Sequence, residues 1–105
     1  MDTQLKKGLL DVCVLSVLRR EASYGYKIVN DIAPMIEISE STLYPILKRL
    51  EAAGMVTTCT REHNGRLRRY YAITRKGEER IDEFLQDMQE FARICEIIRS
   101  EDPHD

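Results

Sequence analysis

The last quarter of this sequence limits the possible folds more than any other part. Ile81, Phe84, Met88, Phe91, Cys95 and Ile98 recur at alternating spacings of three and four, which is the seam of an amphipathic helix over about three heptads. Leu85, Ala92, Ile94 and Ile97 widen the stripe. Thr74 can cap such a helix, which then runs to about Arg99 or Ser100. At ~1.5 Å per residue, ~24 helical residues extend ~36 Å. A chain of 105 residues has room for one domain, and a chain this small buries only a modest share of its surface. The surplus apolar face therefore requires a second chain. Homodimerisation through Ile81, Phe84, Leu85, Met88, Phe91, Cys95 and Ile98 is expected.

At the other end, Leu9, Leu10, Val12, Cys13, Val14, Leu15, Val17 and Leu18 are apolar almost all round, as in a helix buried at the centre of a core. It is expected from about Thr3 to Arg20. The Glu-Ala-Ser triplet breaks it, Ser23 can cap a short second helix from Tyr24 to about Ala33, and Tyr24, Ile28 and Ile32 give that helix its stripe. Pro34 disfavours helical geometry at the residue before it.

A third helix follows, capped by Ser39 or by Ser41. Leu43, Ile46, Leu47 and Leu50 form one stripe at i, i+3, i+4 and i+7. The opposite side carries Ser41, Thr42, Pro45, Lys48 and Arg49, with Tyr44 on its border. Pro45 falls in the first turn or just beyond it, where it removes one backbone bond. Gly54 sits where helices end in left-handed geometry. Met55 to Arg61 then reads as a strand and Arg66 to Ile73 as its partner. Asn64-Gly65 between them is the strongest short hairpin signal, because both turn residues need positive φ. Leu67, Tyr71 and Ile73 share one face of the ribbon; Arg66, Arg68, Tyr70 and Ala72 share the other.

Three helices, a two-stranded ribbon and a long helix describe a mainly α winged helix-turn-helix with a two-stranded β wing and a C-terminal dimerisation helix. The divisions expected are a DNA-binding domain over residues 1–75, the dimerisation helix over 76–100 and a frayed tail over 101–105. With these elements in place the chain resembles the PadR-like transcriptional regulators, in particular small members with a single C-terminal helix. The residues that carry the resemblance are YGYKIV from Tyr24 to Val29, STLYPILKRLEAAGMV from Ser41 to Val56, and GRLRRYYAITRKG from Gly65 to Gly77. They stand in the family's order and spacing across nearly the whole chain.

Charge is segregated along the sequence. Residues 61–76 hold six Lys or Arg against one acid, residues 77–105 hold ten acids against three Arg, and the total is only -2 with a pI near 5.7. The composition is not that of a general nucleic-acid binder, but its distribution gives a basic wing and an acidic last helix. Lys or Arg on a helix in the major groove can address guanine, Ser and Thr several base edges, and apolar atoms the thymine methyl. Ser41, Thr42, Tyr44, Pro45, Lys48 and Arg49 are the candidates there. Tyr44 fits either a core position or a phosphate contact. Arg61, Asn64, Gly65, Arg66 and Arg68, with Arg69 as a further candidate, can follow a phosphate strand or enter a narrow minor groove. The competing reading of each set is a solvated charged surface. Lys6, Lys7, Arg19, Arg20 and Lys27 read first as surface charge and second as auxiliary phosphate contacts.

The expected function is a sequence-specific, homodimeric repressor of transcription bound to a pseudo-palindromic duplex operator. The rival is a winged-helix module that docks a protein and does not bind DNA. No phosphate loop, nucleophile elbow or metal-ligand cluster is legible, so neither an enzyme nor a cofactor or metal is expected. The resemblance implies that a planar aromatic effector can lodge between the paired last helices and the first helices, near Val14, Leu18, Phe84, Met88 and Phe91. In drug-binding relatives a tryptophan on the last helix stacks on the ligand; the matching position here is Met88 and the chain has no tryptophan, which argues against an aromatic sandwich. A dimer core filled by these side chains competes with the pocket. Cys13, Cys59 and Cys95 are an odd number without metal-ligand spacing; Cys13 and Cys95 read as buried apolar residues, and Cys59 on either sheet face. No apolar run approaches the ~18 residues of a membrane span, and MDTQLKKG lacks the apolar core of a signal peptide. A cytoplasmic location is expected.

Overall fold

A computed structural model describes residues 1–101. The order is α1 (Thr3–Arg20), α2 (Gly25–Ile32), α3 (Glu40–Ala52), β1 (Val56–His63), β2 (Arg66–Ile73) and α4 (Arg75–Ser100). Asp2 caps α1 by accepting from the amides of Gln4 and Leu5. The expected apolar run makes α1 the centre of the molecule: Val14 and Leu15 are fully enclosed, and α1 packs against α2, α3, α4 and β2. Of the tail expected over 101–105, only Glu101, which closes α4, belongs to the described residues.

One local expectation changes. Ser23 does not cap α2. It is extended and buried, and its amide and carbonyl pair with the carbonyl and amide of Tyr71 at 3.0 and 2.7 Å. The free edge of β2 recruits Ser23 as a short third rung, because a buried backbone amide needs a partner. Tyr24 takes the cap position without a side-chain bond, and Ile28 and Ile32, with half-buried Val29 packed beside them, anchor the helix in the core. Leu67 shares a ribbon face with buried Tyr71, as expected, and is 78 % exposed. The alternation is correct, but the distal half of the hairpin projects beyond the core.

α3 is capped by Ser39, whose Oγ accepts from the amide of Thr42 at 3.3 Å. Pro45 lies past the first turn, on the exposed side. The helix stops as Gly54 adopts φ 76° while its amide reaches the carbonyl of Glu51 and the amide of Met55 reaches that of Leu50, a Schellman termination. The strands pair antiparallel from Val56↔Ile73 to His63↔Arg66. Asn64 at φ 52° and Gly65 at φ 78° close the turn, the type I′ geometry that suits the twist of a hairpin. β1 begins one residue later and ends two residues later than its sequence suggests.

Thr74 joins three elements. Its Oγ1 accepts from the amide of Gly77 at 3.2 Å to cap α4, and donates to the carbonyl of Gly54 at 2.7 Å. α4 then leaves the core. Gly77, Ile81 and Phe84 are buried, and beyond them the helix extends into a molecule of 65 × 26 × 21 Å.

Candidate nucleic-acid interface

The stripe of Leu43, Ile46, Leu47 and Leu50 fixes the rotation of α3 by entering the core. Ser41, Thr42, Tyr44, Pro45 and Lys48 are consequently exposed together. Ser39 Oγ lies 2.8 Å from Ser41 Oγ and 3.2 Å from Thr42 Oγ1, so the first turn carries a patch of hydroxyls that can both donate and accept. Arg49 lies apart from this group. It is half-buried and its guanidinium is paired with Asp11 of α1, so it ties α3 to α1.

Tyr44 lies between its two sequence readings. It is 45 % exposed, and its hydroxyl donates to Glu40 at 3.5 Å. Its ring lies against α2, so close that a Cβ on Gly25 would come within 2.4 Å of its Oη. Partial burial, then the Glu40 carboxylate, pushes its pKa up from the ordinary tyrosine value, which leaves a neutral hydroxyl at physiological pH.

The hairpin owes its placement to a cluster that single-residue reasoning missed. Tyr24, expected on the core stripe of α2, turns outward and meets the rings of His63 at 5.6 Å and Tyr70 at 5.4 Å. Arg68 lies over Tyr24 at 4.5 Å and Arg61 over Tyr70 at 4.7 Å. Such contacts hold a guanidinium without neutralising it. The available signal was the alternation of Arg and Tyr on one face of β2, opposite Arg61 in register. Arg69, on the other face, pairs with Glu51 at 3.3 Å and is committed to α3.

α3 and the hairpin are neighbours. Tyr44, Lys48, Glu51, Arg69 and Tyr71 line a shallow cavity of about 350 Å³ between them. Among the described residues Lys48, Arg61, Arg66 and Arg68 have no carboxylate within salt-bridge distance, whereas Arg19 pairs with Asp82 and Lys27 with Glu21 and Asp31. Asn64 and Gly65 are exposed at the tip. The arrangement is a hydroxyl-bearing helix face beside a ribbon of unneutralised arginines, chemistry suited to base edges and phosphates respectively.

The residues of the apolar seam divide into three groups. Ile81 and Phe84 are consumed inside the protomer, Met88 and Cys95 are half-buried, and Leu85, Phe91 and Ile98 are exposed at 55, 53 and 65 %. Ile94 and Ile97 add to the open face. Val14 and Leu18 are enclosed in the core, so of the candidate effector contacts only Met88 and Phe91 present open surface in this protomer. Cys13 is buried, and desolvation raises its thiol pKa; Cys59 is exposed. Among the described residues no helix is long and apolar enough to cross a membrane.

The sequence matches the profile of the transcriptional regulator PadR-like family over residues 14–83. A solved structure from Streptococcus mutans UA159 is 38 % identical, with a TM-score of 0.78 over 94 % of either chain. A PadR-like transcription factor from Bacteroides fragilis is 30 % identical, with a TM-score of 0.80 over 91 % of this chain and 95 % of that one. Bacillus subtilis PadR, solved in complex with operator DNA, shares the fold at 24 % identity and a TM-score of 0.67, over 73 % of this chain and 46 % of its own.

Proposed function

The chain belongs to the PadR-like family of transcriptional regulators, and from that premise we propose that it is a homodimeric, sequence-specific DNA-binding repressor acting in the cytoplasm. The observation that carries this reading is the side-by-side placement of the exposed α3 face with the hairpin, where Tyr44 of α3 and Arg68 of β2, unpaired among the described residues, line one cavity. α3 enters the major groove, with Lys48 addressing guanine O6/N7, Ser41 and Thr42 addressing base edges, and Pro45 and the Tyr44 ring meeting thymine methyl groups. Arg66 and Asn64-Gly65 follow the adjoining backbone, while Arg61 and Arg68, braced on tyrosines, keep the hairpin beside the duplex.

The homodimer reading is supported by the apolar upper half of α4, which none of the described residues covers. Pairing two copies through Leu85, Met88, Phe91, Cys95 and Ile98 gives a two-fold axis and two reading heads, which match a pseudo-palindromic operator. Repression follows from occupying promoter DNA. A small aromatic effector lodging against Met88 and Phe91 at that interface would favour a head separation that no longer fits the operator; the adaptable Met88 side chain suits such a pocket.

Selection of duplexes from random fragments tests the reading. The purified protein should enrich a motif with two half-sites about 34–36 Å apart, or a multiple of this. Lys48→Ala should relax preference at one position by about 1–3 kcal/mol, whereas Arg66→Ala should weaken all sequences alike. Failure to enrich any motif, together with capture of a protein partner through the α3 face, would establish the docking module instead.

A further inference from the structure

α3 is flanked by positive charge on two sides, and the hairpin accounts for only one. Tyr44, Lys48 and Glu51 face the hairpin. Thr42, Ile46 and Arg49, rotated away from them, face the first two turns of α1 across a cavity of about 290 Å³ whose far wall is Thr3, Lys6, Lys7 and Leu10. Lys6 and Lys7 are exposed, and neither has a carboxylate partner among the described residues. The two nearby acids are already engaged: Asp2 caps α1 through Gln4 and Leu5, and Asp11 holds Arg49. α1 has no acid in its first turn, so at this end of the helix the two adjoining lysines face only the Asp2 cap carboxylate, which the amides of Gln4 and Leu5 already hold. A local charge left uncompensated in this way marks a candidate functional surface.

We propose that the first two turns of α1 form a second backbone-binding arm, in which Lys6 and Lys7 receive phosphates of the strand across the major groove from the hairpin. This rests on the DNA-binding reading of α3. A helix with its side chains is about 10–12 Å across and the major groove about 12 Å wide, so a helix seated in it has one phosphate strand on either flank. The hairpin serves the Tyr44–Lys48 side, and the α1 lysines stand on the Thr42–Arg49 side. Arg49 is then a positioning residue: its pairing with Asp11 sets the spacing between the arm and the reading helix. The far strand supplies the anions that this uncompensated charge demands.

The test compares the full chain with Lys6→Ala/Lys7→Ala on the selected duplex across a salt series. Each lost phosphate contact flattens the log affinity–log salt slope by about 0.9, so a homodimer losing four should show a slope shallower by about 3–4 and an affinity at 100 mM salt reduced about tenfold or more. Base preference and the unfolding midpoint should not change, and Lys6→Arg/Lys7→Arg should retain the slope. Ethylation interference should lose only the phosphates on the flank away from the hairpin. An unchanged slope, an altered base preference, or a drop in affinity at constant slope would overturn the assignment. So would a small aryl carboxylate such as benzoate displacing duplex from the parent but not from the alanine variant, which would give the cavity to a soluble anion. If the parent itself binds no duplex, the reading of α3 has failed; if it binds with a steep slope and the variant matches it, only the arm has failed.

Discussion

Gly77→Ala should destabilise the protein even though alanine is the better helix former. Gly77 lies in the first turn of α4, and a Cβ there would stand 2.4 Å from the carbonyl oxygen of Met55, 2.7 Å from Ile73 Cγ1 and 3.2 Å from Leu15 Cδ2. Ile73 can adjust its rotamer. The carbonyl of Met55 cannot retreat cheaply, because it accepts the amide of Thr74 at 3.0 Å and so fixes the junction between β2 and α4. Overpacking a full core costs about 1–3 kcal/mol, and a backbone clash belongs at the upper end of that range. Helix propensity returns about 1 kcal/mol, leaving a net loss of about 2 kcal/mol. Urea denaturation at fixed protein concentration measures it, since self-association makes stability depend on concentration. Gly8→Ala is the matched control. Gly8 lies inside α1 with nothing within 4 Å of its missing Cβ, so the same substitution should stabilise by about 0.5–1 kcal/mol. If Gly77→Ala unfolds at the parent's urea concentration or above it, the packing argument at the base of α4 is wrong.

Phe91→Glu places a charge in the open apolar face of α4 and should shift the protein to monomer in sedimentation at micromolar concentration, without loss of helix content by circular dichroism; a persisting dimer would move the interface elsewhere. Under native conditions Cys59 should react with a thiol reagent well before Cys13, because one is exposed and the other is buried with a raised pKa; equal rates measured by mass spectrometry would contradict the core. Burial raises the pKa of Tyr71, with the Arg69 cation opposing the shift and Glu51 adding to it, and Tyr44 is raised as well. Their contribution to stability is therefore complete below the unfolded value near 10 and is lost as pH rises through the folded pKa values, which alkaline titration followed by tyrosine absorbance should show as late ionisation of two residues. Thr74→Ala, which removes a cap, should cost about 0.5–2 kcal/mol in the same denaturation assay, and a neutral result would separate the start of α4 from the junction at Gly54.

Local periodicity made most of the architecture legible. The α1 boundaries, the β2 boundaries, the α4 cap and the I′ turn all follow from residues within one or two turns of each other, where the decisive physics is itself local. What the sequence left unread has a different cause. Ser23 has the composition of a cap, but its partner is Tyr71, far along the chain. Arg49 has the helical angle of a reading residue, but Asp11 on α1 claims it. Tyr24 fits an apolar stripe until the hairpin offers it one arginine and two aromatic rings. Leu67 shows that strand alternation identifies a face without saying how far the core beneath it extends.

Beyond Gly77, α4 contains neither glycine nor proline through Ser100, so its ~39 Å length behaves as one stiff rod. A tilt of about 10° at its base sweeps the far end through about 7 Å, a large fraction of the width of a DNA groove. Angles that would be tolerated within a protomer are thus magnified in any assembly built on the outer end of the rod. Substitutions at its foot, outside the proposed reading face, should then alter the fit to a fixed operator as strongly as changes in that face itself.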